Sequence, residues 1–156
     1  MKLHVEWERP LALRDAKQNN MIYELTLDKV PDVRGIYVFG RRWGTQFEAL
    51  YVGKATNIRG RVKSHLNNLS LTKHLSNAKT GKRVLLTGKL VMRRGQNRKK
   101  ALILAERAFI RYFLSEGHDL VNKQGTWLRR HEVESSGRHP KRFFPKQMHL
   151  AKSSGE

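Results

Sequence analysis

Gly35-Ile36-Tyr37-Val38-Phe39, a turn-like stretch from Gly40 to Thr45, and Ala49-Leu50-Tyr51-Val52-Gly53-Lys54 together decide the fold. Both apolar runs are rich in β-branched and aromatic residues, the composition of strands. Between them Arg41 to Thr45, with Gly40 and Gly44, reads as a turn. The pair is therefore a β-hairpin. A turn centred on Gly44 sets Tyr37 opposite Tyr51 on one face. It sends Ile36, Val38, Leu50 and Val52 to the other face, toward the core. A slip of one residue in register would undo that division.

Working outward, Leu3, Val5 and Trp7 alternate with polar residues, a short strand stopped by Pro10. Leu11 to Lys29 has no decisive period. Asn57 suits a helix N-cap, and Ile58, Val62, Leu66 and Leu69 follow at helical spacing. Arg83 to Arg94 reads as a third strand, bulged at Gly88. Gln96 to Ser115 predicts a long helix closed by Gly117. After Gln124 the chain turns basic and loses periodicity, and Lys152 to Glu156 reads as disordered. The expected fold is α+β: a small three-stranded antiparallel sheet, with an extra N-terminal strand, flanked by helices. The expected organisation is an N-terminal extension (1–34), a core (35–123) and a basic, partly disordered C-terminal tail (124–156).

Composition limits the function. The chain has 156 residues, 38% of them hydrophobic, enough for one domain. Lys and Arg number 32 against 13 Asp and Glu, a formal charge of +19. Such a field attracts nucleic acid or another anionic surface. Cysteine is absent, which excludes disulfides and thiolate metal sites. No apolar run approaches the ~20 residues of a membrane span. The N-terminus lacks a signal-peptide core. A cytoplasmic protein without membrane contact is the expectation.

Several residues suit phosphodiester hydrolysis, which needs an activated water, neutralised phosphoryl oxygens and help for the leaving oxygen. Glu106 is the only acidic residue between Glu48 and Glu116. It lies beside the apolar stripe of its helix, where a carboxylate is costly unless something uses it. Magnesium is typically held by one or two carboxylates plus water and phosphate. The bland alternative for Glu106 is an ion pair with Arg107 or Arg111. Arg61 and His65 are spaced i, i+4 and share a helix face. Arg61 offers a forked donor for phosphate, and His65 can donate or accept near neutral pH. Tyr37 or Tyr51 could activate water, although a free phenol has a pKa near ~10 and needs cations such as Lys54 or Arg61 nearby. Gly53 permits close approach of backbone and ligand. Gly60 costs roughly 1 kcal/mol inside a helix and points to tight packing. Arg59 and Lys63 suit nucleic-acid contacts or a solvated surface. Arg138, Lys141, Arg142 and Lys146, with Phe143 and Phe144 between them, read either as a backbone-gripping tail or as a solvated tail whose phenylalanines pack on the domain. His74, His118, His131, His139 and His149 lack metal-ligand spacing and are expected on a wet surface.

In that order, Gly35-Ile36-Tyr37, Tyr51-Val52-Gly53, Lys54, Arg61, His65, Glu106 and Asn122 resemble the GIY-YIG nuclease superfamily, from Gly35 to Asn122. Valine replaces isoleucine in the second motif. The resemblance implies one divalent metal, Mg2+ or Mn2+, held by Glu106. It implies attack by water, with a tyrosine as base and Arg61 stabilising the pentavalent state. Tyr37 is the favoured base, with Tyr51 positioning water or phosphate; Lys54, His65 and Asn122 complete the implied catalytic set. The expected protein is a metal-dependent endonuclease acting on DNA, with weak sequence specificity. Its rivals are a non-catalytic nucleic-acid-binding module and an RNA-directed nuclease.

Overall fold

A computed structural model of the protein describes residues 1–15, 23–118, 120, 130–138 and 147–151. In chain order the strands and helices are β1 (His4–Trp7), β2 (Leu11–Ala12), β3 (Arg14–Asp15), β4 (Tyr23–Glu24), β5 (Gly35–Trp43), β6 (Gln46–Ala55), α1 (Ile58–Leu66), α2 (Leu69–Asn77), β7 (Lys82–Val91), α3 (Arg98–Ser115), β8 (Arg130–Glu134) and β9 (Gln147–Ala151). A 3-10 turn at Leu27–Lys29 precedes β5. The fold is α+β, as expected. Its main sheet runs β1-β7-β5-β6, with β2 also paired to β7, and every pairing is antiparallel. The first 34 residues thus supply two strands of the sheet itself. No helix among the described residues is long and apolar enough to cross a membrane.

Alternation along the strands splits the core in two. Tyr37 and Phe39 of β5 and Leu85 of β7 pack with Ile58, Val62 and Leu66 of α1 and with Leu71 and Leu75 of α2. On the opposite face, Ile36, Val38, Val52 and Leu90 pack with Ala101, Leu102, Ala105, Ile110 and Leu114 of α3. The sheet is therefore sandwiched between two helical layers.

The hairpin departs from expectation in three respects. Arg41 to Trp43 are strand, not turn, and only Gly44 and Thr45 connect Trp43 to its partner Gln46. Gly44 has φ of 56° there, a conformation natural to glycine. The register pairs Tyr37 with Gly53 and Phe39 with Tyr51, so the two tyrosines share a face but are not directly opposite. The two-residue turn and a bulge between Phe39 and Gly40 each shift the register by one residue: Leu50 is the extra residue on β6. The bulge turns Leu50 to the tyrosine face, where it joins Tyr37 and Phe39 in the core, rather than to the face of Ile36.

Elsewhere β7 is regular and has no bulge at Gly88 in its pairing with β5. Gly88 is small because β1 crosses it: a Cβ there would meet Val5 and the Trp7 indole. The helix capped by Asn57 stops at Leu66, and Leu69 opens α2, whose N-cap Asn68 accepts from Leu71 N at 3.2 Å. The long helix α3 starts at Arg98 behind the cap Asn97. In the tail, β8 and β9 form an antiparallel pair where the sequence showed no period. Lys152 to Glu156 lie outside the described residues.

Candidate active site

The tyrosine face holds a tight group of neutral polar side chains. Tyr37 is only 1% exposed. Its ring lies over Gly53 on the neighbouring strand, where any Cβ would strike the ring and hydroxyl. That glycine therefore makes room for a phenol of the same chain. Tyr51 stacks beside it with ring centroids 6.1 Å apart. His65 of α1 closes the group, its ring 5.0 Å from that of Tyr51. The Tyr37 hydroxyl lies 2.6 Å from His65 Nε2.

Burial controls the protonation of this group. Desolvation pushes the Tyr37 phenol well above its ordinary range, Tyr51 pushes the same way, and Arg61 partly offsets both. Burial also pulls His65 down to about 4, helped by the Arg61 charge. His65 is therefore neutral at pH 7 and can accept the phenol's proton in a hydrogen bond. Arg61, one helical turn earlier, is exposed and acts electrostatically on both rings.

The other face carries charge. Lys54 pairs in register with Ile36, which places it on the α3 side of the sheet. Its Nζ donates to Glu106 Oε2 at 2.7 Å. The glutamate side chain is 8% exposed and the lysine 38%. Glu106 has no ion pair with Arg107 or Arg111 among the described residues.

The strand β6 lies at the edge of the sheet, so side chains from both faces reach around it. A cleft of about 500 Å³ opens there, lined by Lys54, Asn57, Gly60, Arg61, Ser64 and Leu102, among others. Leu102 sits one turn before Glu106 on α3. Asn57 accepts from Gly60 N at 3.1 Å and caps α1 at the floor of the cleft. Gly60 is not tightly packed: a Cβ there would come no closer than 3.8 Å to the Asn57 side chain. Its small size leaves the cleft open instead.

Of the residues singled out from sequence, Tyr37, Tyr51 and His65 share one cluster under the influence of Arg61. Lys54 and Glu106 form a pair, and Lys54 and Arg61 line one cleft. Arg59 is half-exposed, with Nε donating to the Val30 carbonyl at 2.8 Å and Nη2 to that of Asp28 at 3.4 Å. Lys63 is exposed on α1 and Arg138 at a bend after β8. Asn122, Lys141 and Arg142 lie outside the described residues. Two histidines expected on a wet surface are half-buried. His118 Nδ1 accepts from Ala49 N at 2.7 Å, and burial lowers its pKa. His74 Nε2 is buried without a partner among the described residues. Sequence reading missed Ser64 as a cleft residue, although it follows Arg61 at helical spacing.

Among the described residues no group of three or more His, Cys, Asp and Glu side chains could hold a metal ion. A lone carboxylate suits only a hard cation that keeps most of its ligands as water and phosphate oxygen. Glu106 fits that description, provided Lys54 gives up Oε2. No protein-family model, curated protein or solved structure matches the chain.

Proposed function

We propose that the chain is a metal-dependent endonuclease of GIY-YIG type that hydrolyses DNA phosphodiester bonds. One observation carries the reading: Lys54 and Arg61, from opposite sides of β6, line the same cleft. Arg61 brings the influence of the phenol–imidazole group, and Lys54 brings the carboxylate it is bonded to. The charge of +19 supplies the attraction for a polyanion.

Glu106 would hold one divalent ion, Mg2+ or Mn2+, which when bound neutralises phosphoryl charge and lowers the pKa of water. Arg61 donates to the non-bridging oxygens of the scissile phosphate and stabilises their added charge. Lys54, released from Glu106, turns to a phosphate oxygen. The general base is Tyr51 in this reading, not Tyr37. Tyr37 is fully buried and already bonded to His65, so water cannot reach its oxygen, and desolvation opposes its ionisation. Tyr51 is the half-buried phenol of the pair. Tyr37 and His65 fix its ring from the side.

Incubating the full chain with supercoiled plasmid and magnesium tests the reading. Nicking that stops with chelator supports it; an intact plasmid at every metal concentration rejects it. Matched DNA and RNA strands in the same assay separate DNA from RNA as substrate. The closed Lys54–Glu106 pair favours one rival, a nucleic-acid-binding module that has kept the fold without cutting. Manganese titration by calorimetry decides between them, since the module should bind no ion at Glu106.

A further inference from the structure

The closed end of the β5–β6 hairpin carries an aromatic side chain outside both cores. Trp43, the last residue of β5, is 39% exposed. Arg41, two residues earlier on the same strand face, places its guanidinium carbon 3.9 Å from the indole centroid. Arg41 is itself buried and pinned. Its Nε donates to Glu48 Oε1 at 3.1 Å and its Nη1 to the Thr80 carbonyl at 2.7 Å. One face of the indole therefore rests on a fixed cation, and the ring is oriented before any ligand arrives.

The surroundings are basic. Arg42 and Lys82 face each other across β5 and β7 on the opposite face of the sheet from Trp43, and both are exposed. Like charges directly opposite weaken a strand pair, and neither has an ion pair among the described residues. Lys79, next to Thr80, is a third exposed cation. Charge alone would suit any polyanion. The pinned indole adds a flat apolar surface, and nucleic acid is the polyanion that offers flat rings to stack on it.

We propose that Trp43 is a stacking platform for an unpaired nucleobase, with Lys79 beside it taking a flanking phosphate. This rests on the chain being a nucleic-acid binder, not on the cutting step. From Ile36, the register partner of the cleft residue Lys54, to Trp43 the strand advances about 23 Å at ~3.3 Å per residue. That is roughly seven base steps of duplex at ~3.4 Å each. The platform therefore favours nucleic acid with an unstacked base at that distance from the cleft over perfect duplex.

Binding is measured by fluorescence anisotropy on the full chain in chelator, so that no cutting occurs. One duplex has a single bulged adenine and its control is fully paired. Wild type should prefer the bulged duplex. Trp43→Ala should weaken that complex about tenfold or more, the scale of one base–aromatic stack, and leave the paired duplex unchanged. Trp43→Phe should restore most of the loss. In the wild-type chain, 2-aminopurine at the bulge should be quenched on binding, a readout that needs no variant. Equal losses on both duplexes, no loss on either, or unquenched 2-aminopurine would overturn the proposal. None of these readings depends on catalysis, so failure here leaves the nuclease assignment standing.

Discussion

The two faces of the sheet handle ionisable groups in opposite ways. Toward α1, Tyr37 and His65 are kept neutral by burial and by a hydrogen bond to each other. Toward α3, Lys54 and Glu106 are held together as an ion pair. Removing water disfavours charge in the first case, and a partner compensates for that loss in the second. The contrast shows why an edge strand is useful. At β6, Lys54 from the charged face and Arg61, next to the neutral group, line one cleft.

Removing the charged side tests the contrast most severely. Glu106→Ala should reduce plasmid nicking by about 10³-fold or more, with DNA affinity in chelator nearly unchanged. Cutting at the wild-type rate would dissolve the assignment of the cleft. Arg61→Ala should lower cutting by about 10²- to 10³-fold, the usual cost of losing one charge-stabilising donor. Single-turnover rates at saturating enzyme measure this without interference from weaker binding.

The neutral side predicts a pH effect on stability. The folded value for His65, about 4, lies below the ordinary 6.5, so the unfolded chain takes up a proton that the folded chain refuses. Stability should be full above pH 6.5 and decline as pH falls toward 4, by about 3 kcal/mol. His118 is shifted in the same direction, so its contribution adds to the decline. His65→Gln keeps a hydrogen-bonding partner for Tyr37 without titrating there. Urea unfolding at several pH values should show a visibly flatter profile for this variant. An unchanged slope would mean that His65 is charged in the folded protein.

Two glycines sharpen the comparison at smaller scale. Gly53→Ala drives a methyl into the Tyr37 ring and should destabilise by about 1–3 kcal/mol, the range for overpacking. Gly60→Ala meets no obstruction and should stabilise α1 by up to ~1 kcal/mol. Thermal unfolding of both variants checks the opposite signs.

Much of the fold was legible because it rests on local patterns. The β-forming run Ile36 to Phe39, the caps Asn57 and Gly117, and the helical spacing of Ile58, Val62 and Leu66 marked strands and helices in place. The register was not legible. The bulge at Leu50 depends on how β6 lies against β5, and Leu50 looks like any other strand residue. The β8–β9 pair was hidden because β8 has a single apolar residue, Val133, too few to show a period. The site was legible as a list of residue types, but not as partnerships. Arg59 looked like a surface cation, yet it binds two carbonyls of the turn before β5. Glu106 stood out as a lone carboxylate suited to a metal, with a neighbouring arginine as the bland alternative, yet it reaches Lys54 across the sheet.

By itself the sequence determined the charge, the strand and helix types, and the identity of the groups available for chemistry, because those follow from composition and short-range period. The tertiary structure decided which phenol is sealed from water, which lysine meets Glu106, and that Trp43 stands outside the core on a pinned arginine. Burial and pairing of residues distant in the chain depend on packing, and no local pattern encodes them.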